Sequence, residues 1–429
     1  MKFSLKVAAT ATLFSALSAS VLAGGFQLTE QSALALGRAY AGVGVDGTDI
    51  SGVWYNPATM VLHEGTQFQA GGVLVGLNLP YESDRGAPDD NGRKRPEFVP
   101  HMFMTKQLSD KAWFGLSFTV PFGLSTEYNS NWDQHEKGDR AKIKLIDLNP
   151  NFAYKVNDWL SVGGGLSVQY VEASLGFNII PNGGGEDVNV DSLSWGYNLG
   201  IMVRPVENVR IGLSYRSAVD HKGEGDVKAA GQRFDGTIRM DAPASWTLAA
   251  AWDVNDWLSL YSTFRKTDWS SFDSLNLESD LISMATQKLL AKQALDAGDA
   301  QKAAGFMQKP LSSFPRKHGL ETKWRDTYLL TVGYDARINE FWTLRGGVGF
   351  ERSPIAHPEL RTGTIPDADR WWFAIGSSFH WSKQFQTDIG FAHLHGVHER
   401  ALYNRQGEKI GSFDRLDAYL VGIQAQYRF

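Results

Sequence analysis

Three histidines lie close together in the stretch FAHLHGVHER, at His393, His395 and His398. Residues two apart on a β-strand point to the same face, so His393 and His395 could offer two nitrogen ligands to a transition metal. No carboxylate completes an evident site, and the same pattern is typical of a solvated approach to a loop. The sequence therefore predicts no metal site.

Catalytic and cofactor chemistry have no support in the sequence. No G-x-S-x-G nucleophile motif occurs, and no Ser/His/Asp set can be identified. The chain has 0 cysteines, so thiolate nucleophiles, thiolate metal sites and disulfides are excluded. A formal net charge of −5 gives no basic footprint for nucleic acid. We expect neither an enzyme nor a nucleic-acid-binding protein, and no cofactor.

The N-terminus has the form of a secretory signal peptide. Lys2 and Lys6 precede an apolar stretch, which is followed by Val21-Leu22-Ala23 with small residues at the −3 and −1 positions of a cleavage site. The apolar run is too short for a membrane anchor. We predict cleavage of residues 1–23, with a mature chain that begins at Gly24. No later apolar run is long enough for a transmembrane helix, so the mature protein is either soluble and exported or a transmembrane barrel.

Long stretches of alternating polarity favour the barrel. In LSWGYNLGIMV (residues 193–203) the large apolar and aromatic residues occupy every second position, and the same holds in the last strand, which ends at Phe429. Alternation over about 10 residues with aromatics near the ends is typical of a β-strand that crosses a bilayer. Strands of soluble sheets are shorter, at about 5–6 residues.

Recurring polar turns set the number of strands. KVNDWLSV (155–162) returns almost unchanged as DVNDWLSL (253–260), and such patterns are typical of tight hairpins. Short turns are predicted near Ser109, Asn157, Glu207, Asn255, Asn339 and Ser382. Longer connections are predicted at about 80–98, 121–139, 181–190, 221–235, 271–323, 352–369 and 397–412. The fold class is therefore an all-β membrane protein, an antiparallel transmembrane β-barrel of about 14 strands.

Two segments fall outside this pattern. Residues 24–63 are too few and too mixed in polarity to fold alone, so we expect them to plug the lumen of a barrel formed by residues 64–429. Residues 279–310 are rich in Ala, Leu, Lys and Gln and read as two helices broken near Gly298. This insert could be a plain surface cap or an extracellular lid that captures lipid.

Several stretches, in order along the chain, carry a family resemblance. GGFQLTEQSALALGRAYAG, WYNPATM, VPFGLSTEY, LNPNFAYKVNDWLSVGGGL and TLRGGVGFERSPI resemble the outer-membrane long-chain fatty acid transporter family, the FadL/TodX-type channels for hydrophobic compounds. The resemblance implies a 14-stranded barrel plugged by an N-terminal hatch, which carries the motif Asn56-Pro57-Ala58. It also implies passive uptake: capture at the cell surface, rearrangement of the hatch, and sideways exit into the membrane.

The exit is expected at a kink in the third strand, about 111–128, which contains Pro121-Phe122-Gly123. Proline cannot donate to a sheet ladder, so Pro121 marks an interrupted ladder or simply the end of the strand. The resemblance favours the interruption.

The resemblance also implies a ligand path, to which we assign Phe26, Glu172, Lys323, Arg325 and Asp367. Family members that take fatty acids are expected to carry a basic residue where YVEAS places Glu172. This departure leaves room for neutral substrates such as monoaromatic hydrocarbons. A general diffusion porin is the less favoured alternative, because the lumen is expected to be filled.

Location and partners follow from the same resemblance. We expect a multi-pass protein of a Gram-negative outer membrane, in contact with membrane lipid and lipopolysaccharide. The barrel assembly machinery is expected to read the last strand through Phe429. We expect a monomer.

Overall fold

A computed structural model describes residues 24–90, 92, 95–129, 132–134, 137–177, 186–229, 231–398, 400–404 and 406–429. The predicted signal peptide and parts of the predicted connections at 80–98, 121–139, 181–190, 221–235 and 397–412 lie outside these residues. None of the described helices is long and apolar enough to cross a membrane.

The described residues form strands and four α-helices. In chain order the strands are β1 (Thr66–Asn78), β2 (Tyr81–Ser83), β3 (Glu97–Ser109), β4 (Ala112–Glu127), β5 (Arg140–Lys155), β6 (Leu160–Phe177), β7 (Glu186–Val206), β8 (Val209–Arg216), β9 (Val219–Ala229), β10 (Gln232–Ala242), β11 (Ser245–Asp253), β12 (Leu258–Thr267), β13 (Ser274–Ser279), β14 (Lys317–Glu321), β15 (Thr327–Arg337), β16 (Trp342–Glu351), β17 (Asp369–His380), β18 (Phe385–Val397), β19 (Ala401–Tyr403), β20 (Lys409–Phe413) and β21 (Asp417–Arg428). The α-helices are α1 (Ala33–Leu36), α2 (Gly52–Tyr55), α3 (Asp280–Asp296) and α4 (Ala300–Gln308).

Within the described chain, 14 of these strands close into one antiparallel barrel. They are β1, β3 to β8, β11, β12, β15 to β18 and β21. The barrel closes because β1 pairs with β21 on one side and with β3 on the other. Closure gives each of these strands a neighbour on both sides, as a barrel in lipid requires. The predicted fold class is therefore confirmed.

The outer surface of the barrel is apolar. Leu193 and Trp195 are 71% and 74% exposed on β7, while the residues that alternate with them face inward. Aromatic side chains are exposed near both ends of the strands, as at Trp257 and Trp371. An apolar band with aromatic rims is the surface expected where strands contact a bilayer.

The recurring sequence at one end of the barrel has a local cause. The side-chain oxygen of Asn157 accepts hydrogen bonds from the main-chain N–H groups of Trp159 and Leu160, at 3.0 and 2.8 Å. Asn255 and Asn339 cap their own turns in the same way. Asparagine stabilises such turns by bonding to its own main chain two or three residues on. The repeated polar turn is thus one turn geometry used several times.

At the opposite end the sheet extends beyond the barrel. β9 pairs with the first part of β7 and with β10, and β13 joins β10 to β14. α3 and α4 lie between β13 and β14, on either side of Gly298. Two predicted connections are shorter than expected, because β4 continues to Glu127 and because β9 and β10 form a hairpin within 221–235. Several residues in each of these stretches are buried against other parts of the protein, which stabilises the strands beyond the predicted ends. The sequence alone did not show these contacts.

Candidate functional site

The wall of the barrel is interrupted between β3 and β4. The ladder between them runs from Ser109 and Ala112 to Met102 and Phe118, and the described residues beyond that point form no β3–β4 pairs. β3 still pairs with β1 there, so the two neighbours diverge. β4 itself does not end at Pro121, since it goes on pairing with β5.

A bulge accompanies the divergence. Between Thr119 and Phe122, β4 has one residue more than the facing part of β5. A bulge bends its strand and disrupts the ladder locally. Pro121 lies inside the bulge and has no N–H to donate. The geometry is that of an interrupted ladder rather than of a strand end.

Residues 24–63, called the N-terminal segment below, pair with β4 at Pro121–Gly123, where β3 does not. The Leu28 N–H donates to the Pro121 carbonyl at 2.7 Å, and the Gly123 N–H donates to the Phe26 carbonyl at 2.9 Å. Gln27 and Phe122 form the antiparallel bridge between these two bonds. Residues 26–28 thus act as a short substitute strand along β4.

A side chain completes this contact. The Gln31 amide nitrogen donates to the Val120 carbonyl at 2.8 Å, and its oxygen accepts from the Val120 N–H at 3.3 Å. Both main-chain groups of Val120 are therefore satisfied by the N-terminal segment, which lowers the cost of leaving them out of the β3–β4 ladder.

Five aromatic rings surround the start of the segment. The Phe26 ring lies 4.8 Å from Trp269, 5.5 Å from Phe272, 5.9 Å from Phe122 and 6.0 Å from Trp324, measured between centroids. We call these five residues the Phe26 cluster. Such edge-on and tilted pairs add about 0.5–1.5 kcal/mol each beyond their buried area. Displacing Phe26 would leave an aromatic pocket for an apolar ligand.

Gly25 is required beside this cluster. It has φ +73°, and a Cβ there would lie 2.7 Å from the Trp324 ring and 2.9 Å from the Trp269 ring. A side chain at Gly25 would be excluded both by strain and by the two indoles.

Asp367 binds the first residues of the segment. One oxygen accepts from the Gly25 N–H at 3.1 Å and from the Ser353 hydroxyl at 3.0 Å. The other oxygen accepts from Arg370 at 2.9 Å. Burial raises the pKa of the Asp367 carboxyl to about 6, against the lowering effect of Arg370. Asp367 thus lies next to the start of the segment that carries Phe26.

A buried ionic network continues from Arg370. Its Nε lies 3.2 Å from Glu351, and Glu351 lies 3.7 Å from Arg265. Arg265 also donates to the Thr29 hydroxyl at 2.7 Å, which ties the network to the N-terminal segment. Arg265, Glu351 and Arg370 come from β12, β16 and β17, so three separate strands build one charged cluster.

Glu30 adds a further buried carboxylate to this region. It is fully buried, and neither side-chain oxygen accepts a hydrogen bond from another described residue. Burial raises the pKa of Glu30 to about 7, and the charge of Glu351 raises it further, while Arg370 and Arg265 lower it. A buried charge without partners is costly, so the docked segment favours protonated Glu30.

Docking of the segment is therefore expected to weaken as pH rises. The raised pKa of Glu30 means that docking is fully favoured below the ordinary carboxyl range and is lost progressively as pH passes about 7. Hydrogen exchange at the Leu28 and Gly123 amides, measured between about pH 5 and pH 8, should show less protection at the higher pH than in a Glu30→Gln variant under the same conditions. Equal protection in both proteins at every pH would contradict this role of Glu30.

The other end of the segment is seated on barrel glycines. The Asn56 amide donates to the Gly44 carbonyl at 3.0 Å and to the Ile201 carbonyl of β7 at 3.1 Å. A Cβ on Gly163 of β6 would lie 2.7 Å from the main chain of Pro57 and Ala58. Likewise, a Cβ on Gly200 would lie 2.0 Å from Asn56. The Asn56-Pro57-Ala58 motif thus anchors the segment against a wall that only glycine allows.

The remaining predicted path residues lie elsewhere. Lys323 is exposed and pairs with Glu321 at 2.9 Å. Arg325 is half-buried, donates to the Ser353 carbonyl at 3.0 Å and lies 3.6 Å from Asp369, at the edge of the Asp367 region. Glu172 is exposed on the outer face of β6, beside the Tyr170 hydroxyl at 3.3 Å, and so does not face the lumen.

Two small recesses lie near the first residues of the segment. One is mainly apolar, has about 20 Å³ of free space and shares Phe272 with the Phe26 cluster; its walls also include Ala141, Ile143, Leu175, Leu320 and Ile365. The other, also of about 20 Å³, has polar and aromatic walls that include Gln27, Thr29, Trp54, Arg216 and Arg265. Each has room for about one water molecule, so a larger ligand can occupy it only when neighbouring residues move.

Sequence reasoning missed Gln31, Arg265, Glu351, Trp269 and Trp324. Gln31 and Glu351 lie in stretches that carry the family resemblance, but none of the five residues forms a motif with its partners. Their roles depend on contacts between strands far apart in the chain. Only a comparison of many relatives could have marked them beforehand.

The barrel is closed and antiparallel, its outer face is apolar, and the N-terminal segment is buried against its inner wall. These features are those of an outer-membrane barrel protein. The model of the outer membrane protein transport protein family (OMPP1/FadL/TodX) matches residues 14–429. The chain therefore belongs to that family of outer-membrane transport proteins, which confirms the resemblance and the predicted location.

Individual relatives agree with this assignment. The chain is 26% identical to a long-chain fatty acid transport protein of Salmonella typhi, over 90% of this chain and 91% of that protein. A solved FadL homologue of Pseudomonas aeruginosa matches with TM-score 0.78 and 22% identity, over 94% of this chain and 100% of that one. The Pseudomonas putida toluene transporter TodX matches with TM-score 0.70 and 18% identity, over 93% and 98%. At these identities the two structures show the shared fold alone.

Proposed function

We propose that this protein is a passive uptake channel for hydrophobic compounds, and that long-chain fatty acids are its substrates. The observation that carries the proposal is the replacement of β3 by residues 26–28 along β4, because it makes a removable segment part of the wall. When that segment leaves, the lumen is connected to the surrounding lipid through the gap between β3 and β4.

The apolar recess and the Phe26 cluster provide the route to that gap. A ligand chain in the recess contacts Phe272 and then competes with Phe26 for the other aromatic rings. Burying apolar surface gains about 25 cal/mol per Å², and that gain is kept in lipid but lost in water. Sideways exit is therefore downhill, whereas release into the periplasm is not.

Arg265 supports an acidic substrate. Its guanidinium is buried, lines the polar recess and interacts electrostatically with Glu30 of the N-terminal segment. Departure of the segment removes the Thr29 hydroxyl from Arg265, and a ligand carboxylate can take its place as the acceptor. Glu172 does not oppose this, because it lies on the outer face.

The alternatives make different demands on the structure. Neutral aromatic hydrocarbons, as the name of the toluene transporter suggests for that protein, would use the Phe26 cluster without Arg265. A general diffusion porin needs an open aqueous lumen. Residues 24–46 are instead buried within the described structure, which favours a plugged lumen.

Uptake of radiolabelled palmitate and toluene by cells that carry Arg265→Gln distinguishes an acidic substrate from a neutral one. We expect palmitate uptake to fall by on the order of 10-fold, since a buried charged hydrogen bond contributes about 1.5–3 kcal/mol, while toluene uptake stays unchanged. Arg337→Gln, on the exposed end of β15, is the matched control. Unchanged palmitate uptake with a folded Arg265→Gln barrel would contradict acid recognition, and steady ion conductance of the wild type in planar bilayers would favour the porin.

We further propose that the protein acts as a monomer within outer-membrane lipid and lipopolysaccharide. Residues 24–63 would serve as the hatch and residues 279–310 as an extracellular lid. The exposed Phe429 would be the feature that the barrel assembly machinery reads.

A further inference from the structure

The two histidines that share a strand face have a carboxylate neighbour on the next strand. His395 of β18 pairs in register with Asp417 of β21, and His393 pairs with Tyr419. His395 Nδ1 lies 3.0 Å from Asp417 Oδ1, and His393 Nε2 lies 3.5 Å from Asp417 Oδ2. One ligand atom from each of the three residues lies within 4.8 Å of the other two.

The arrangement is held in place by its surroundings. The Asp417 side chain is 7% exposed, and its Oδ1 also accepts from the Gly396 N–H at 3.3 Å. The His393 ring stacks on Tyr419 with 4.7 Å between centroids and 5° between planes. Such supporting contacts orient the ligands of protein metal sites.

One ligand atom is left without a hydrogen bond. His393 Nε2 is buried and has no hydrogen-bond partner among the described residues, although it faces Asp417. A buried polar atom of this kind normally has a partner. A metal ion between His393, His395 and Asp417 would satisfy it.

The ligand types select the ion. Imidazole nitrogen with one carboxylate suits zinc and its neighbours, whereas magnesium prefers oxygen ligands and retains water. In a tetrahedral zinc site, ligand atoms about 2.0–2.2 Å from the metal lie roughly 3.3 Å apart, close to both histidine–aspartate distances. Two histidines and one aspartate leave the fourth position open.

We propose that His393, His395 and Asp417 form a zinc-type metal site on the outer face of the barrel. His395 is 47% exposed, so an ion can approach the site from its side. The bound ion joins the ends of β18 and β21 and presents its open position to solvent or to an oxygen ligand at the membrane surface.

The test is zinc binding to the untagged, detergent-purified protein after chelator treatment and dialysis. We expect one bound zinc, measured by elemental mass spectrometry and by calorimetric titration, and no comparable binding of magnesium. His393→Gln and Asp417→Asn should each weaken zinc binding by at least about 10-fold. Loss of a residue that only hydrogen-bonds to a metal ligand already lowers metal affinity by that factor.

His398→Gln is the matched control, since His398 belongs to the same sequence motif but pairs with Asp369 at 3.3 Å. Its zinc affinity should equal that of the wild type. Heat-modifiable gel migration checks that every variant is a folded barrel. Absence of zinc binding by the wild type, or binding that survives the His393→Gln/Asp417→Asn double change, would overturn the proposal.

Discussion

Oxidation of a Gln27→Cys/Phe122→Cys variant is expected to stop uptake, and a reductant is expected to restore it. The main-chain bonds on either side of this bridge make Gln27 and Phe122 a non-hydrogen-bonded antiparallel pair. Cα atoms in such pairs lie about 4.5 Å apart, within the range that a disulfide spans. The natural chain has 0 cysteines, so no competing disulfide can form.

The size of the effect follows from the energy of the cross-link. A disulfide that stabilises the docked segment by about 3 kcal/mol lowers the population of the undocked segment by on the order of 100-fold. Palmitate uptake should fall in proportion, because in the proposed mechanism the gap between β3 and β4 opens only when the segment leaves. Uptake by the oxidised and the reduced variant is compared in the same cells.

The two single-cysteine variants are the controls for this experiment. Each carries one of the substitutions but cannot form the intramolecular cross-link, so its uptake should not respond to reductant. Full uptake by the oxidised double variant, with cross-linking verified by mass spectrometry, would show that the segment need not leave β4 for transport.

Straightening of β4 should have a comparable effect on uptake. Pro121→Val restores an N–H to the bulge, and Gly123→Thr favours extended backbone. β3 beyond Met102 can then pair with β4, and each main-chain hydrogen bond gained contributes about 1 kcal/mol net. Two such bonds already lower the population of the open gap between β3 and β4 by more than about 10-fold, so uptake should fall steeply.

Ligand capture provides the internal comparison for the straightened strand. Binding of palmitate to the purified variant should persist, because the apolar recess does not include residues 121–123. Pro205→Val, near the end of β7, changes a proline elsewhere and should leave uptake unchanged. Undiminished uptake by a correctly folded Pro121→Val/Gly123→Thr protein would rule out sideways exit at this position.

The fold was predictable because its determinants are local. Alternating polarity and asparagine-capped turns, as at Asn157 and Asn255, depend on neighbours in the sequence. Closure into a barrel then follows from the need to satisfy every main-chain group in lipid. The same local patterns also showed the helical character of the insert around Gly298.

The site was only partly predictable, because its contacts join distant parts of the chain. Phe26, Asp367 and Pro121 were assigned by resemblance, but the network through Arg265 and Glu351 links strands that the sequence does not place side by side. Glu172 shows the opposite case. Val171 and Ala173 on either side of it face inward, so Glu172 faces outward although the resemblance placed it on the ligand path.

The anchoring of Asn56 to the barrel wall has a consequence for how often the channel can act. While Asn56 stays bound to Ile201, the departing end that carries Phe26 remains tethered near its own docking place. A tether of this kind gives an effective concentration on the order of millimolar, however dilute the protein is. Re-docking is then a first-order event that needs no partner and no energy source. In the proposed mechanism, each passage of ligand would be followed by spontaneous resetting, and only a ligand present at a competitive local concentration would delay it.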